Sequence, residues 1–349
     1  MAMTQLILGI ETSCDETAAA VLEDGRHVRS SVLHSQIMLH ERWRGVVPEV
    51  ASRSHTQRIV PIVQAALDEA KVRPSDLSGV AVTHRPGMVG CLLVGLAAAK
   101  ALALRYDLPL LGVDHVQAHI HTALLTRQDM PLPALCLVAS GGHTALWLLR
   151  APLDAIRLGT TRDDAAGEAF DKGAALLGLS YPGGPSIERA AQNGNPKSLV
   201  LPRSLLGPDS LDFSFSGLKT ALLYHLRGPG VTEPPPVLPP ARVADLAAAY
   251  QEAIVDVLIQ KLSRAAERVP VQSICIGGGV ARNVRLRTRL QESRTLSALQ
   301  LVLPEPSLCS DNGAMIAFLG HLQLQRGLTS PLDLEAVATP DAGGKAAPR

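Results

Sequence analysis

Three histidines fall within seven residues of DHVQAHIH, at positions 115, 119 and 121. On a helix, at about 100° per residue, His115 and His119 stand about 40° apart on one face, and His121 points elsewhere. Neither Gly nor Pro interrupts 113–126, so a helix is expected there. An i, i+4 histidine pair offers a divalent metal two nitrogen donors, which leaves the ligand set incomplete. A third donor must come from distant sequence, and Asp311 in SLCSDNGAM is the candidate. Asp311 or Ser310 has a second possible role as N-cap of a helix over 312–324. The histidines, likewise, can be ordinary hydrogen-bonded core residues. Two hydrolase classes drop out: HVQAH lacks the Glu that serves as base in H-E-x-x-H, and no G-x-S-x-G elbow occurs.

Glycine turns supply a second kind of chemistry. Ser140, Gly141 and Gly142 can present consecutive backbone N–H groups to phosphate or carboxylate oxygens, although an ordinary hairpin turn is the plainer reading. Gly277 to Gly279, between a strand and a helix start, is the better anion seat. Neither the dinucleotide fingerprint G-x-G-x-x-G nor the P-loop pattern is present. Asp171 in EAFDKGA and Glu188 in PGGPSIERAA are candidate acceptors for ribose hydroxyls; the alternative is a surface acid paired with Lys172 or Arg189. Arg282, Arg285 and Arg289 form one basic cluster, and Arg42, Arg44, Arg53 and Arg58 another. Either can meet phosphates, but solvated faces without aromatic interleaving are the plainer reading.

Elements must position these groups. The 349 residues suit two large lobes. With 46% hydrophobic but only 3% aromatic residues, the interior is built from Ala, Val, Leu and Ile. A formal charge of +1 gives no chain-wide basic footprint, so any polyanion must be held locally or with help. Five scattered cysteines without a C-x-x-C pair fit a reducing compartment. The apolar run 88–99 is shorter than the roughly 20 residues a bilayer needs, and no basic region precedes Glu11, so a cytoplasmic protein away from membranes is expected.

Residues 6–10 read as a strand, 11–17 as a polar turn and 18–22 as a returning strand; 134–139, SGGHT and TALWLLR repeat that grammar. Further buried strands at 80–83 and 273–276 lead through glycine turns into helices, which implies mostly parallel sheets. The expected lobes are 1–114 with 313–336, and 115–312. A Pro-rich surface loop is expected at 228–241 and a disordered tail at 339–349.

Read together, GIETSCDETA, GVVPEVASRSH, HVQAH, SGGHT, DDAAGEAFDKGA, YPGGP, DFSFSGLKTAL, GGGVARN and SDNGAM resemble, in order, the tRNA adenosine threonylcarbamoyltransferases of the TsaD type, formerly described as glycoprotein endopeptidases. The resemblance implies an α/β, actin-like or Hsp70-like ATPase fold of two lobes, with mixed sheets flanked by helices and a nucleotide cleft between the lobes. It implies one divalent metal on His115, His119 and Asp311, with Fe(II) favoured over Zn. Val138, Ala139, Ser140, Gly141 and Gly142 would hold the threonylcarbamoyl and phosphate portion of the substrate. Asp171, Gly184 and Asn283 would surround the nucleoside of its AMP moiety, with Glu188 as an addition. Asp15 and Glu16, on the first hairpin tip, are the candidate catalytic acids for taking the amine proton.

The implied reaction moves the threonylcarbamoyl group from threonylcarbamoyl-AMP to the exocyclic amine of the adenosine 3′ of the anticodon, in tRNAs reading codons that start with A. Implied partners are tRNA, a smaller inactive paralogue of the TsaB type and a P-loop ATPase of the TsaE type. Fold analogy alone would leave a small-molecule kinase or ATPase open. Two departures stand out: Trp43-Arg44 replaces the family's Tyr-Gly before Gly45, and Arg85 stands where a glycine normally precedes Pro-Gly.

Overall fold

The computed structural model describes residues 4–231 and 237–339. Within them the chain forms two compact units, one of residues 4–129, 151–155 and 310–339, the other of 130–150 and 156–309.

The first unit opens with a meander of β1 (Leu6–Glu11), β2 (Glu16–Glu23) and β3 (His27–Ser35), followed by α1 (Ile37–His40), α2 (Pro48–Ala70), β4 (Gly79–Arg85), α3 (Val89–Tyr106), β5 (Leu110–Asp114) and α4 (His115–Thr126). Its sheet order is β3-β2-β1-β4-β5. β1 pairs antiparallel with β2 and parallel with β4, and β4 pairs parallel with β5. The run LILGIE does not alternate because both faces of β1 are covered. Leu8 and Ile10 pack with Ile59, Val63 and Leu67 of α2 and Leu96 and Ala99 of α3. α3 is long and apolar enough to cross a bilayer, but one side of it, including Cys91, Leu92, Leu96 and Ala99, is buried within this unit.

The second unit repeats that plan. β6 (Ala134–Ala139), β7 (Thr144–Ala151) and β8 (Asp154–Thr160) come first. Then follow α5 (Ala166–Leu176), α6 (Gly183–Ala191), α7 (Ser216–Arg227), α8 (Pro240–Ala266), β9 (Ser273–Gly277), α9 (Val284–Glu292), β10 (Gln300–Val302) and α10 (Pro306–Cys309). The order β10-β9-β6-β7-β8 matches that of the first sheet, strand for strand. The duplicated hairpin grammar is therefore real, but the expectation of mostly parallel sheets is not met. Each sheet is mixed, because the β1–β2 and β6–β7 hairpins sit at its centre, each with a parallel neighbour on its other side. The core is aliphatic, centred on Ala253, Ile254, Val257, Leu258 and Leu262 of α8, with Phe170, Phe213 and Tyr250 as its large fillers.

α11 (Gly313–Gln325) returns to the first unit and packs on β1, β2 and α4. That packing moves the boundary: α4 and 310–312 belong to the first unit, whereas the sequence placed 115–312 in the second. The Pro-rich loop ends sooner than 241, since α8 starts at Pro240 with Pro near its first turn. Residues 232–236 of that loop and 340–349 of the expected tail lie outside the described residues.

β1 and α11 meet through glycines. A Cβ on Gly9 would sit 2.2 Å from the Gly313 carbonyl oxygen and 2.4 Å from the Ala317 nitrogen, and one on Gly313 would sit 2.5 Å from the Ala20 nitrogen. Backbone cannot yield as a flexible side chain can, so Gly9→Ala is expected to cost about 3 kcal/mol or more of stability. Urea unfolding checks it; an unchanged midpoint would show that the helix can slide to accommodate a methyl group.

Candidate active site

Each half of β1–β2 and β5–α4 delivers one part of a polar cluster in the first unit. β5 ends at Asp114, whose carboxylate accepts the Gln117 N–H at 3.1 Å and so caps α4. The helix then starts at His115, and the i, i+4 spacing brings the His115 and His119 rings to 4.7 Å between centroids, edge to face. Asp311 comes from the segment before α11. Its Oδ1 lies 3.1 Å from His119 Nε2 and 3.5 Å from His115 Nε2. The helix cap is Asn312, whose side chain accepts the Met315 N–H at 2.9 Å. The expected capping role of Ser310 or Asp311 is thus taken by the next residue, and Asp311 faces the histidines.

This set fits a divalent ion. Its three donor atoms lie within 4.8 Å of one another, where ligand distances of about 2.0–2.2 Å require donors roughly 3–3.5 Å apart in a tetrahedral site. Both histidines are buried. His115 also has the support that metal-binding imidazoles need on their far side. Its Nδ1 donates to Glu11 Oε2 at 2.9 Å, which leaves Nε2, on the Asp311 side, as the nitrogen that can bind an ion once its proton is lost. Glu11, the last residue of β1, is fully buried and also accepts the Ser13 N–H at 2.5 Å and the Thr83 hydroxyl at 2.6 Å. By contrast, His119 Nδ1 is buried with no hydrogen-bond partner among the described residues.

Electrostatics follow the geometry. Burial alone would lower the His115 pKa, but the Asp311 and Glu11 carboxylates outweigh it and push it up to about 9. Burial would likewise raise Glu11, yet His115 holds it below the ordinary carboxylate range. The hairpin tip responds to the same cluster. Glu16 is raised well above its ordinary value, first by burial and then by Asp15 and Asp311, and it shares a hydrogen bond with Asp15. Glu16 is therefore brought close enough to Asp311 to feel its charge.

Candidates in the second unit converge on glycines. β6 carries Val138 and Ala139 into a turn in which Ser140 N–H bonds the His143 carbonyl at 2.7 Å. α5 starts against that turn: the Gly167 N–H donates to the Ser140 carbonyl at 3.1 Å, and a Cβ on Gly167 would lie 2.6 Å from that oxygen. Gly278, at φ +83°, crosses the end of β6 with its missing Cβ 2.4 Å from the Ala139 oxygen. Around these contacts Gly141, Gly142, Gly184 and Gly279 have open space where a side chain would stand. Such backbone is accessible to a ligand's oxygens.

The polar candidates are also structural. Asp171 accepts the Gly183 N–H at 2.6 Å at the start of α6, Glu188 accepts the Val284 N–H at 2.6 Å at the start of α9, and Asn283 caps α9 through the Leu286 N–H at 3.0 Å. Asn283 also donates to Gln251 at 2.8 Å. Lys172, the alternative partner for Asp171, instead meets Asp164 and Glu168.

Comparison with known proteins decides the family. Residues 27–318 match the family described as TsaD, tRNA N6-adenosine threonylcarbamoyltransferase. The chain belongs to this family. A tRNA N6-adenosine threonylcarbamoyltransferase of Anaeromyxobacter dehalogenans strain 2CP-C is 50% identical over 331 residues, covering 95% of this chain and 97% of that one. One from Thermomicrobium roseum is 48% identical, covering 95% and 96%. Among solved structures, HypF of T. kodakarensis superimposes with a TM-score of 0.59 at 15% identity, over 94% of this chain and 48% of that one. The fold is the α/β, actin-like ATPase fold.

Within this TsaD family member, Glu11 is the site residue the sequence did not single out. The signal was present: an acid closing an otherwise apolar strand, where it must be paired or pay heavily for burial. Of the basic clusters, Arg285 and Arg289 turn inward onto Glu252, and Arg289 also onto Asp256. They are helix–helix ties, which removes them from the phosphate-contact candidates. Arg42, Arg44, Arg53 and Arg58 are exposed. Arg85, one of the two departures, forms a 3.2 Å ion pair with Asp114, the cap of the histidine helix. Arg44, at φ +54°, occupies a left-handed position, which explains the family's glycine there and costs a non-glycine residue about 1 kcal/mol.

His121 is accounted for without a ligand role. Its Nδ1 donates to the Gln117 carbonyl at 2.7 Å and its Nε2 accepts the Leu153 N–H at 2.9 Å, so both nitrogens are used in the neutral form. Burial lowers its pKa to about 4. Because the unfolded ring titrates near 6.5, the unfolded chain binds the extra proton between those values. His121 thus supports the fold above about pH 6.5, and this support is lost progressively as pH falls toward 4. Expected is a loss of about 3 kcal/mol across that window in metal-free protein that His121→Asn, less stable overall, does not show. Parallel pH profiles of the two proteins would refute this.

Proposed function

We propose that this chain transfers the threonylcarbamoyl group from threonylcarbamoyl-AMP to the exocyclic amine of the adenosine 3′ of the anticodon, in tRNAs reading codons that start with A, releasing AMP. The observation that carries the reading is identity of about half the residues, over nearly the whole length of both chains, to proteins named for tRNA threonylcarbamoyl transfer. The proposed ligands of a divalent metal, Fe(II) in preference to Zn, are His115, His119 and Asp311. A two-nitrogen, one-carboxylate set supports either ion.

Bound there, the ion would supply Lewis-acid polarisation of a carbonyl oxygen. The protein's own groups do the rest. In the transfer, the amine nitrogen forms a bond to the carbamoyl carbon, the bond from that carbon to the phosphate oxygen breaks, and AMP leaves with the electron pair. Open backbone at Gly141 and Gly142 is suited to the phosphate oxygens as their charge develops. Val138, Ala139 and Ser140 hold the strand end and turn that present it. Asp171, Gly184, Glu188 and Asn283 are the proposed surroundings of the nucleoside. Asp15 and Glu16 are the proposed acceptors of the amine proton. Burial, with Asp15 and Asp311 adding to it, raises the Glu16 carboxyl, and a cation held by Asp311 would offset the Asp311 part of that shift.

The partner reading, a TsaB-type paralogue and a TsaE-type P-loop ATPase, rests on the family resemblance, and the cytoplasm is the proposed compartment, in keeping with five free thiols. Incubating the metal-loaded chain and these partners with threonylcarbamoyl-AMP and unmodified tRNA should give the modified nucleoside in a tRNA digest. Phosphoryl transfer from ATP to a small molecule without tRNA, and no modified nucleoside, would replace this reading with the kinase or ATPase alternative.

A further inference from the structure

The turn after α1 carries an exposed tryptophan between two exposed arginines, a feature the site above does not use. Trp43 is 42% exposed, and the Arg42 guanidinium lies 3.7 Å from its ring centroid. This corrects the view of that cluster as lacking an interleaved aromatic. Arg44 follows in a left-handed conformation that glycine would adopt freely, so the arginine is kept at a position where the backbone disfavours it. Close by, Leu39, Val50, Ser54 and Gln57 line a groove of about 340 Å³, with Arg53, Arg58 and Glu49 completing it.

Among the described residues none of the guanidinium groups of Arg42, Arg44, Arg53 and Arg58 is in an ion pair. Four positive charges against the two of Glu41 and Glu49 make a local excess in a chain whose total charge is only +1. A groove lined by Leu39 and Val50 together with unpaired arginines, near a tryptophan already stacked on one guanidinium, matches the needs of unpaired nucleotides: a ring for a base and fixed cations for phosphates.

We infer that Arg42, Trp43, Arg44, Arg53 and Arg58 form a docking face for an unpaired, looped segment of the tRNA. This inference rests on the tRNA reading above. Trp43 stacks on a base, Arg44, Arg53 and Arg58 take phosphates, and Arg42 orients the ring.

The second tryptophan, Trp147, lies in β7, so Trp147→Phe leaves Trp43 as the only reporter. Titrating that variant of the full chain with unmodified tRNA should quench its fluorescence, with an affinity that falls as salt rises. In the reconstituted transfer assay Trp43→Ala should raise the KM for tRNA roughly ten- to hundred-fold, whereas Trp43→Phe restores it. Reversing Arg44, Arg53 and Arg58 to Glu should lower the salt slope by roughly 0.7 per arginine, while kcat at saturating tRNA and the KM for the donor stay unchanged. All these residues are exposed, so metal content and thermal unfolding should match the parent.

Normal transfer with an unchanged KM and salt slope in the variants would overturn the docking face and leave the function standing. Polyglutamate binding as tightly as tRNA, through the same arginines, would overturn it in favour of an acidic protein partner. Absence of any transfer by the parent chain would instead sink the function itself.

Discussion

Asp311→Ala is expected to purify without stoichiometric metal and to transfer threonylcarbamoyl roughly 10²- to 10⁴-fold more slowly, the range that several kcal/mol of lost Lewis-acid stabilisation corresponds to. Two nitrogen donors remain after the substitution, and a histidine pair alone is an incomplete seat. The fold should survive, because Asn312, not Asp311, caps α11 and Asp311 lies outside the apolar cores. Removing the carboxylate also removes the stronger of the opposite charges that raise His115, so the metal-free ring should titrate below about 9. Asp311→Asn keeps an oxygen donor but not the charge, and should fall between the two. Elemental analysis after reloading, thermal unfolding and the transfer assay are read together. Full metal occupancy with undiminished transfer in Asp311→Ala would remove the metal from the mechanism.

Much of this site could be read before any coordinates, for a specific reason. The i, i+4 periodicity of a helix is a local rule, so the shared face of His115 and His119 and the different face of His121 follow from spacing. Joining Asp311 to them requires knowing that α11 comes back onto β1 and α4 from nearly 200 residues away, as the 192-residue separation of His119 and Asp311 shows. No periodicity encodes that distance; Asp311 stood as a candidate third donor, and the family resemblance was what joined it to the pair. Hairpins were legible because a small polar turn between two apolar runs has one economical solution. Sheet direction was not. A β-strand buried on both faces reads the same whether its neighbour is parallel or antiparallel, and β6, apolar at all six positions, has one of each.

Glu11 escaped notice for the opposite reason to Asp311. Local sequence made it one of several acids in GIETSCDE, and the more exposed pair on the hairpin tip drew the catalytic reading. What separates it from them is the company it keeps across the sheet: Thr83 is on the neighbouring strand β4, and His115 directly follows the next, β5. The two basic clusters differed in the same way. Arginine spacing along α9 matches a solvated face, yet Glu252 and Asp256 of α8 turn that face into an interface.

Glu11→Gln is expected to weaken metal affinity about 10- to 100-fold, the usual consequence of losing the outer partner of a metal-bound histidine. The side chain keeps its shape, so the effect isolates charge and acceptor count. A carboxylate accepts at both oxygens and here meets three donors: the Ser13 N–H, the Thr83 hydroxyl and His115 Nδ1. An amide offers one acceptor oxygen, and its NH₂ must then face a donor in a fully buried place. Each orientation gives up one of these contacts. With the oxygen toward Ser13, the NH₂ meets Thr83 and His115, which favours the tautomer with its proton on Nε2 and so blocks the ligand lone pair. With the oxygen toward Thr83 and His115, the Ser13 N–H is left unpaired and the β1–β2 turn carrying Asp15 loosens. Titration of metal-free protein gives the affinity, and nitrogen-15 NMR of the imidazole gives the tautomer independently of turnover. A His115 that keeps its proton on Nδ1 and binds metal as tightly as the parent would mean that α4 alone, without Glu11, holds the ring in place.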